Sequence, residues 1–98
     1  MIELTSKQRK TLEKFAHDLQ PVVIVGGAGV TDGVMDKIDQ SLASHELLKV
    51  KFNEYKEEKV ELANEIAEKC NATLVRIIGN VVILYIEAEK EEDRKYTF

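Results

Sequence analysis

The chain has 98 residues with no tryptophan, one cysteine, one proline and two histidines. Cys70 has no second cysteine to pair with, so no internal disulfide is possible. No apolar run approaches the roughly 20 residues that a membrane-spanning helix needs. The opening Met1-Ile2-Glu3-Leu4-Thr5 lacks the basic-then-apolar order of a signal peptide. These absences favour the cytoplasm and argue against a membrane partner. His17 and His45 stand apart, with no cysteine or carboxylate cluster at ligand spacing, so no metal site is expected. No serine, histidine and acid grouping marks a catalytic triad, and the chain is expected not to be an enzyme.

The charge is unevenly spread. The net charge is -4, which on its face argues against a nucleic-acid partner. The acids, however, crowd into the region of a third helix (Glu57, Glu58, Glu61, Glu65, Glu68) and the tail (Glu87, Glu89, Glu91, Glu92, Asp93). The first helix carries Lys7, Arg9, Lys10 and Lys14 against Glu13 alone. A basic face can therefore coexist with an acidic total. An apolar fraction of 44% and a charged fraction of 33% read as one globular domain.

Periodicity orders the elements. Thr5-Ser6-Lys7-Gln8 has the pattern of a capping box and starts a helix that runs to about residue 19, where Pro21 ends it. Leu12, Phe15, Ala16 and Leu19 form its apolar stripe, with Lys7, Lys10 and Lys14 opposite. Residues 22–25 are a continuous apolar run that fits a strand buried on both sides. Thr31 or Asp32 caps a second helix with Val34, Met35, Ile38 and Leu42 inward. Residues 47–52 alternate: Leu48, Val50 and Phe52 on one face, Leu47, Lys49 and Lys51 on the other. A third helix over roughly 56–70 turns Ala63, Ile66, Ala67 and Cys70 inward and stops at Asn71.

Residues 73–78 and 81–86 flank Gly79-Asn80, a two-residue hairpin turn. The expected register puts Val75, Ile77, Val82, Leu84 and Ile86 on one face. Leu74, Arg76, Ile78, Val81, Ile83 and Tyr85 then share the other. Arg76 has two open readings, a pair with an acidic helix residue or a contact with a ligand at the surface. Tyr85 fits packing better than stacking. The result is an α/β domain, α-β-α-β-α-β-β, with a four-stranded mixed sheet over 1–86 and right-handed β-α-β crossovers. A charged, flexible tail is expected over 87–98.

The feature that points to function is a strand running into Gly26-Gly27-Ala28-Gly29 and then a helix. Bare backbone at the mouth of a helix lets a phosphate approach closely. Dinucleotide-binding enzymes use such a loop, but their G-x-G-x-x-G fingerprint fails here. Counting from Gly27, Asp32 stands at the third glycine and Gly33 comes one position late. The acidic ribose ligand that should end the second strand is also missing. Glu46 lies at that strand's start and Glu54 comes too late. Gly26 to Gly29 also reads as G-x-x-G, a weak pattern by itself.

Its company makes it specific. Leu4-Thr5-Ser6-Lys7-Gln8-Arg9, Leu12, Ala16-His17 and Leu19-Gln20-Pro21-Val22-Val23 precede the loop. Val30-Thr31, His45-Glu46-Leu47-Leu48-Lys49-Val50-Lys51, Ile77-Ile78-Gly79 and Leu84-Tyr85 follow it. In that order, over about residues 4–85, these resemble the CRM domain, the family of YhbY-like bacterial proteins and plant organelle splicing factors. The resemblance implies a fold similar to the C-terminal domain of translation initiation factor 3. It further implies RNA binding, with stand-alone members assembling the large ribosomal subunit, no cofactor and no small-molecule substrate.

By the same resemblance Gly26, Gly27, Ala28 and Gly29 form the RNA-facing loop, similar in device to the backbone clamp of KH domains. Lys7, Arg9, Lys10 and Lys14 contact phosphates; Lys49 and Lys51 extend the basic surface if the sheet face carrying them is open, and Arg76 joins them on its ligand-contact reading. Three departures imply weaker or narrower binding. Gly27 and Ala28 stand where the family commonly has a basic or amide side chain. Ile86 stands where many relatives have arginine. Asp32 at the helix mouth repels phosphate. Three tyrosines and three phenylalanines are few, which favours backbone or shape recognition over base stacking. Two other readings remain: a nucleotide-cofactor-binding fragment using the same loop, and a protein-interaction module using the acidic third helix.

Overall fold

The computed structural model describes residues 2–96; Met1, Thr97 and Phe98 lie outside the described residues. The order is α1 (Ser6–Ala16), β1 (Val23–Val25), α2 (Asp32–His45), β2 (Leu47–Phe52), α3 (Lys59–Cys70), β3 (Thr73–Ile78) and β4 (Val81–Tyr85). A 3-10 turn over Glu91–Asp93 follows. The four strands form one mixed sheet ordered β1-β2-β4-β3. β1 runs parallel to β2 and the other pairings are antiparallel. A parallel pair cannot be joined by a tight turn, and α2 supplies the crossover between β1 and β2.

Helices cover both sheet faces. On one, α2 and α3 bury Ile38, Leu42, Ala63, Ile66 and Ala67 against Val25, Leu48, Val50, Phe52, Val82 and Leu84. On the other, α1 lays Leu12 and Ala16 on Leu47, Val75, Ile83 and Tyr85. Thr5 caps α1 with both reciprocal bonds of the capping box, and Thr31 caps α2 by accepting from the Val34 N–H. Asn71 ends α3 in the left-handed conformation, φ 56°.

Four expectations need correction. First, α1 stops at Ala16, with His17 as its C-cap, well before Pro21. Leu19 still packs against the α1 core, but Phe15 is 47% exposed. Second, β1 is the sheet's edge strand and buries only one side: Val23 and Val25 are inside, Ile24 is 55% exposed. Third, α3 begins at Lys59, so Glu57 and Glu58 lie in the preceding loop.

Fourth, β3 carries a bulge between Leu74 and Arg76. The extra residue exchanges two side chains between faces. Leu74 pairs with Leu84 and joins the α2/α3 core, while Val75 joins the α1 core. Arg9 secures this bulge, its Nη1 donating to the Leu74 oxygen at 2.7 Å and the Val75 oxygen at 2.6 Å.

The far end of the sheet is closed around Glu46. This residue is buried with left-handed backbone, φ 62°. Its N–H donates to the Leu42 oxygen and its carbonyl accepts from the Ile86 N–H. One carboxylate oxygen accepts from the Lys95 N–H at 2.6 Å. The charged tail makes further contacts as far as Tyr96. Arg94 pairs with Glu87 at 3.2 Å, and the Tyr96 ring lies 5.2 Å from Phe15 and 6.5 Å from Tyr85.

Tyr85 is fully buried in this corner. Burial first, then the negative charges of Glu46 and Glu87, push its hydroxyl up to about 12, against a smaller opposing effect of Arg94. The folded protein thus holds the phenol proton more tightly than the unfolded chain. Stability is complete below pH 10 and falls as pH rises from there towards 12. Urea unfolding at pH 9 and pH 11 should show a larger loss for the native chain than for Tyr85→Phe. Equal losses would contradict this.

Candidate nucleic-acid interface

The register aligns side chains across the α1 face of the sheet. Ile24 pairs with Lys51, Lys51 with Val81, and Val81 with Ile78, so one row crosses all four strands. The next row towards α1 holds Lys49, Ile83 and Arg76. α1 crosses the strands from Arg9 at β3 to His17 beside Lys49 on β2, so it covers Ile83 and leaves the outer row open along its flank. Ile78 is 52% exposed, close to the value for Ile24.

Between α1 and this part of the sheet lies a groove of about 470 Å³. Lys10, Glu13, Lys14 and His17 line it from the helix, and Lys49, Arg76, Ile78, Val81 and Ile83 from the sheet. Its cations are not equivalent. Arg76 pairs with Glu13 at 3.1 Å, the first of its two readings, with its side chain still 57% exposed. Lys49 donates to the carbonyl oxygens of His17 and Leu19, each at 3.1 Å, and ties the chain after α1 to β2. Lys10 and Lys14 are exposed and have no hydrogen-bond or ion-pair partner among the described residues.

The other sequence-chosen residues fall around this centre. Lys7 is exposed further along α1 and does not line the groove. Arg9 faces the β3 bulge instead. Lys51 lies one row out, beside Ile24 and Val81. The glycine loop leaves the same end of β1, two residues beyond Ile24. The Gly29 N–H donates to the Gly26 oxygen at 2.9 Å, closing a tight turn, and Gly29 takes φ 76°. The N–H groups of Gly27 and Ala28 find no acceptor among the described residues. They are free to meet an anion.

Tyr55 was not singled out as a site residue from sequence, yet it shapes the loop. Its hydroxyl donates to the Gly27 oxygen at 2.8 Å, and its ring lies where a Cβ on Gly29 would meet it at 3.5 Å. Tyr55 itself has left-handed backbone, φ 58°. Nothing in the local pattern marks it, because its partner lies 28 residues away. Lys59 is a second such residue: its Nζ donates to the Gly79 oxygen and to Asn80 Oδ1, bracing the hairpin turn. The hollow on the Tyr55 side of Gly27 is edged by Glu54, Glu57 and Glu58 against Lys56, a net acidic edge, so an anion meets less repulsion from the α1 side.

Glu46, weighed as a ribose ligand, is in the wrong place. The loop follows Val25, which pairs with Phe52 at the end of β2, whereas Glu46 precedes the start of that strand. Six strand residues, roughly 20 Å, separate them.

The arrangement is a small α/β domain with a glycine loop and free lysines around one open sheet face. The chain belongs to the CRS1 / YhbY (CRM) domain family, whose family model matches residues 4–85. It is 40% identical over 91 residues to a protein of Haemophilus influenzae named "RNA-binding protein", covering 92% of each chain. It is 34% identical over 90 residues to the Bacillus subtilis protein named "Probable RNA-binding protein YqeI", covering 91% of this chain and 94% of that one. The solution structure of SAV1595 from Staphylococcus aureus matches with a TM-score of 0.79 at 29% identity. That match covers 97% of this chain and 100% of the other.

The loop's shape depends on Gly29 and Tyr55. Gly29→Ala forces a side chain into a left-handed position and should lower stability by about 1 kcal/mol. Tyr55→Phe removes one exposed hydrogen bond and should cost about 0.5–1 kcal/mol. Urea denaturation checks both. A Gly29→Ala variant as stable as the parent would show that the loop is not held as described.

Proposed function

We propose that this chain is a non-enzymatic RNA-binding protein that acts on ribosomal RNA or a precursor of the large ribosomal subunit, as an assembly factor in the cytoplasm. The observation that carries the reading is the gathering of Lys10, Lys14, Lys49 and Arg76 about one groove in a chain of the CRM family. Relatives along most of its length are named as RNA-binding proteins.

Lys10 and Lys14 supply the principal phosphate contacts, with Lys7 and Lys51 at the margins. The N–H groups of Gly27 and Ala28 grip backbone phosphate between Gly26 and Gly29. Arg9 acts on RNA through the helix position it secures, and Lys49 and Arg76 lend charge while keeping their internal bonds. Contact by backbone alone between the outer glycines, with Asp32 nearby, makes binding weaker than in a relative with a basic side chain there. Among the described residues no helix is long and apolar enough to cross a membrane. Residues 1–86 form the RNA-binding unit, with 87–98 as an accessory tail.

Titration with large-subunit ribosomal RNA across a salt series tests this reading. Affinity should fall steeply with salt. Lys10→Glu with Lys14→Glu should weaken binding by at least about tenfold at moderate salt and flatten the salt slope by roughly two. Gly27→Asp should weaken binding without unfolding the chain, since a Cβ there meets nothing within 4 Å. Unchanged binding in both variants would overturn the site. Absence of RNA binding at low salt would overturn the function.

A further inference from the structure

The groove beside α1 has two kinds of surface, and phosphate contact explains one of them. Its rim is cationic. Its floor is aliphatic at Ile78, Val81 and Ile83; further across the sheet Lys51 separates Val81 from Ile24. The outer row spans three strand spacings, about 14 Å. Its two end residues, Ile24 and Ile78, are both more than half exposed. Single exposed aliphatic residues are ordinary; a row aligned by register beside unpartnered lysines is a place for a ligand.

We infer that this floor receives an unpaired base of the bound RNA, so that the protein selects single-stranded segments, loops or bulges over continuous duplex. The inference rests on the RNA-binding reading and adds the class of RNA. The occupant must be polyanionic to satisfy Lys10 and Lys14, and must also offer a flat apolar face to dry the isoleucine floor. A nucleotide in an unpaired strand has both features. An RNA duplex does not, because its base faces are stacked inside and it presents phosphates, hydroxyls and base edges. Duplex would satisfy the lysines and leave Ile24, Val81 and Ile78 in water.

The dimensions agree. A volume of about 470 Å³ lies within the range of small-ligand sites. The Val81 end of the floor lies two strand spacings, about 10 Å, from β1, whose end leads into the glycine loop, so a strand whose phosphate meets Gly27 and Ala28 can pass Lys51 and lay a base further along on the sheet. This offers base contact without aromatic rings: among the described residues Tyr55 is engaged with Gly27 and Gly29, and Phe52, which pairs with Val25, is buried.

The test uses the full chain and three labelled probes of equal length: an unstructured single-stranded RNA, the same sequence as a duplex, and a single strand with abasic sites at its centre. Affinities are measured by anisotropy at one low salt concentration. The single strand should bind about tenfold more tightly than the abasic strand or the duplex. Ile78→Ser, at an exposed position, should remove most of that advantage while leaving duplex affinity unchanged. Val81→Thr, at a position that also lines the groove, is the second variant, should Ile78→Ser fail to fold.

Equal affinity for all three probes would overturn the inference and leave the RNA-binding reading standing. Binding of none of them would overturn both. Displacement of the single strand by polyglutamate as readily as by unlabelled RNA would show a site for acidic protein instead, and would also overturn the inference.

Discussion

Leu12 and Ala16 hold α1 to the sheet, and the extent of that contact decides what the rest of the face can do. Both side chains are fully buried against Leu47, Val75, Ile83 and Tyr85. Burying a leucine contributes about 2 kcal/mol, enough to make this contact the helix's principal anchor. The β3 bulge adds Val75 to the same side, and Arg9 ties the helix to the bulge carbonyls. α1 lies across the strands, from Arg9 at the β3 bulge to His17 beside Lys49 on β2, so it shields one half of its sheet face and leaves the half at its side open. The groove is the step between the two halves.

Charge follows the same layering. Among the described residues, α2 carries Asp32, Asp36 and Asp39, and α3 carries Glu61, Glu65 and Glu68, all exposed on the side away from α1. Lys7, Lys10 and Lys14 stand on α1 without partners; Lys37 on α2 and Lys69 on α3 are also unpartnered among the described residues, but acids outnumber them there. A net charge of -4 is thus compatible with local attraction of an anion, because exposed charges more than a screening length of about 8 Å away count for little. The acidic side repels what the basic side attracts, which favours a single orientation on a polyanion.

Two long-range contacts give the open face its detail. Tyr55 reaches across from the loop before α3 to Gly27, so the glycine loop is held by a residue that follows β2. Lys59 braces the hairpin turn at the same end of the sheet. At the opposite end, Glu46 gathers the end of α2, the residue after β4 and the tail into one buried joint. The two ends thus have different work: one is closed and packed, the other exposes backbone groups, with lysines towards α1 and the carboxylates of Glu54, Glu57 and Glu58 on the Tyr55 side.

Much of the architecture was legible in the chain. The α-β-α-β-α-β-β order, the α1 capping box, the Asn71 stop and the Gly79-Asn80 turn follow from local chemistry: periodicity, side-chain bonds to nearby backbone, and left-handed residues. So does the alternation of Lys49 and Lys51 with Leu48, Val50 and Phe52. The basic first helix and the glycine loop were visible as residues, though not as a surface.

What the pattern of the chain left open was decided by pairing between distant segments. A short apolar run looks the same in a central strand and an edge strand, so only the sheet order shows that Ile24 faces water. A bulge leaves no mark in the alternation of Leu74, Val75 and Arg76; it appears when β3 must match β4. Arg9 and Lys10 are neighbours with the same charge, yet one is tied to the sheet and the other is free. The sequence by itself determined which groups the face contains. The tertiary structure decided which of them remain available, because availability depends on partners that lie far away along the chain.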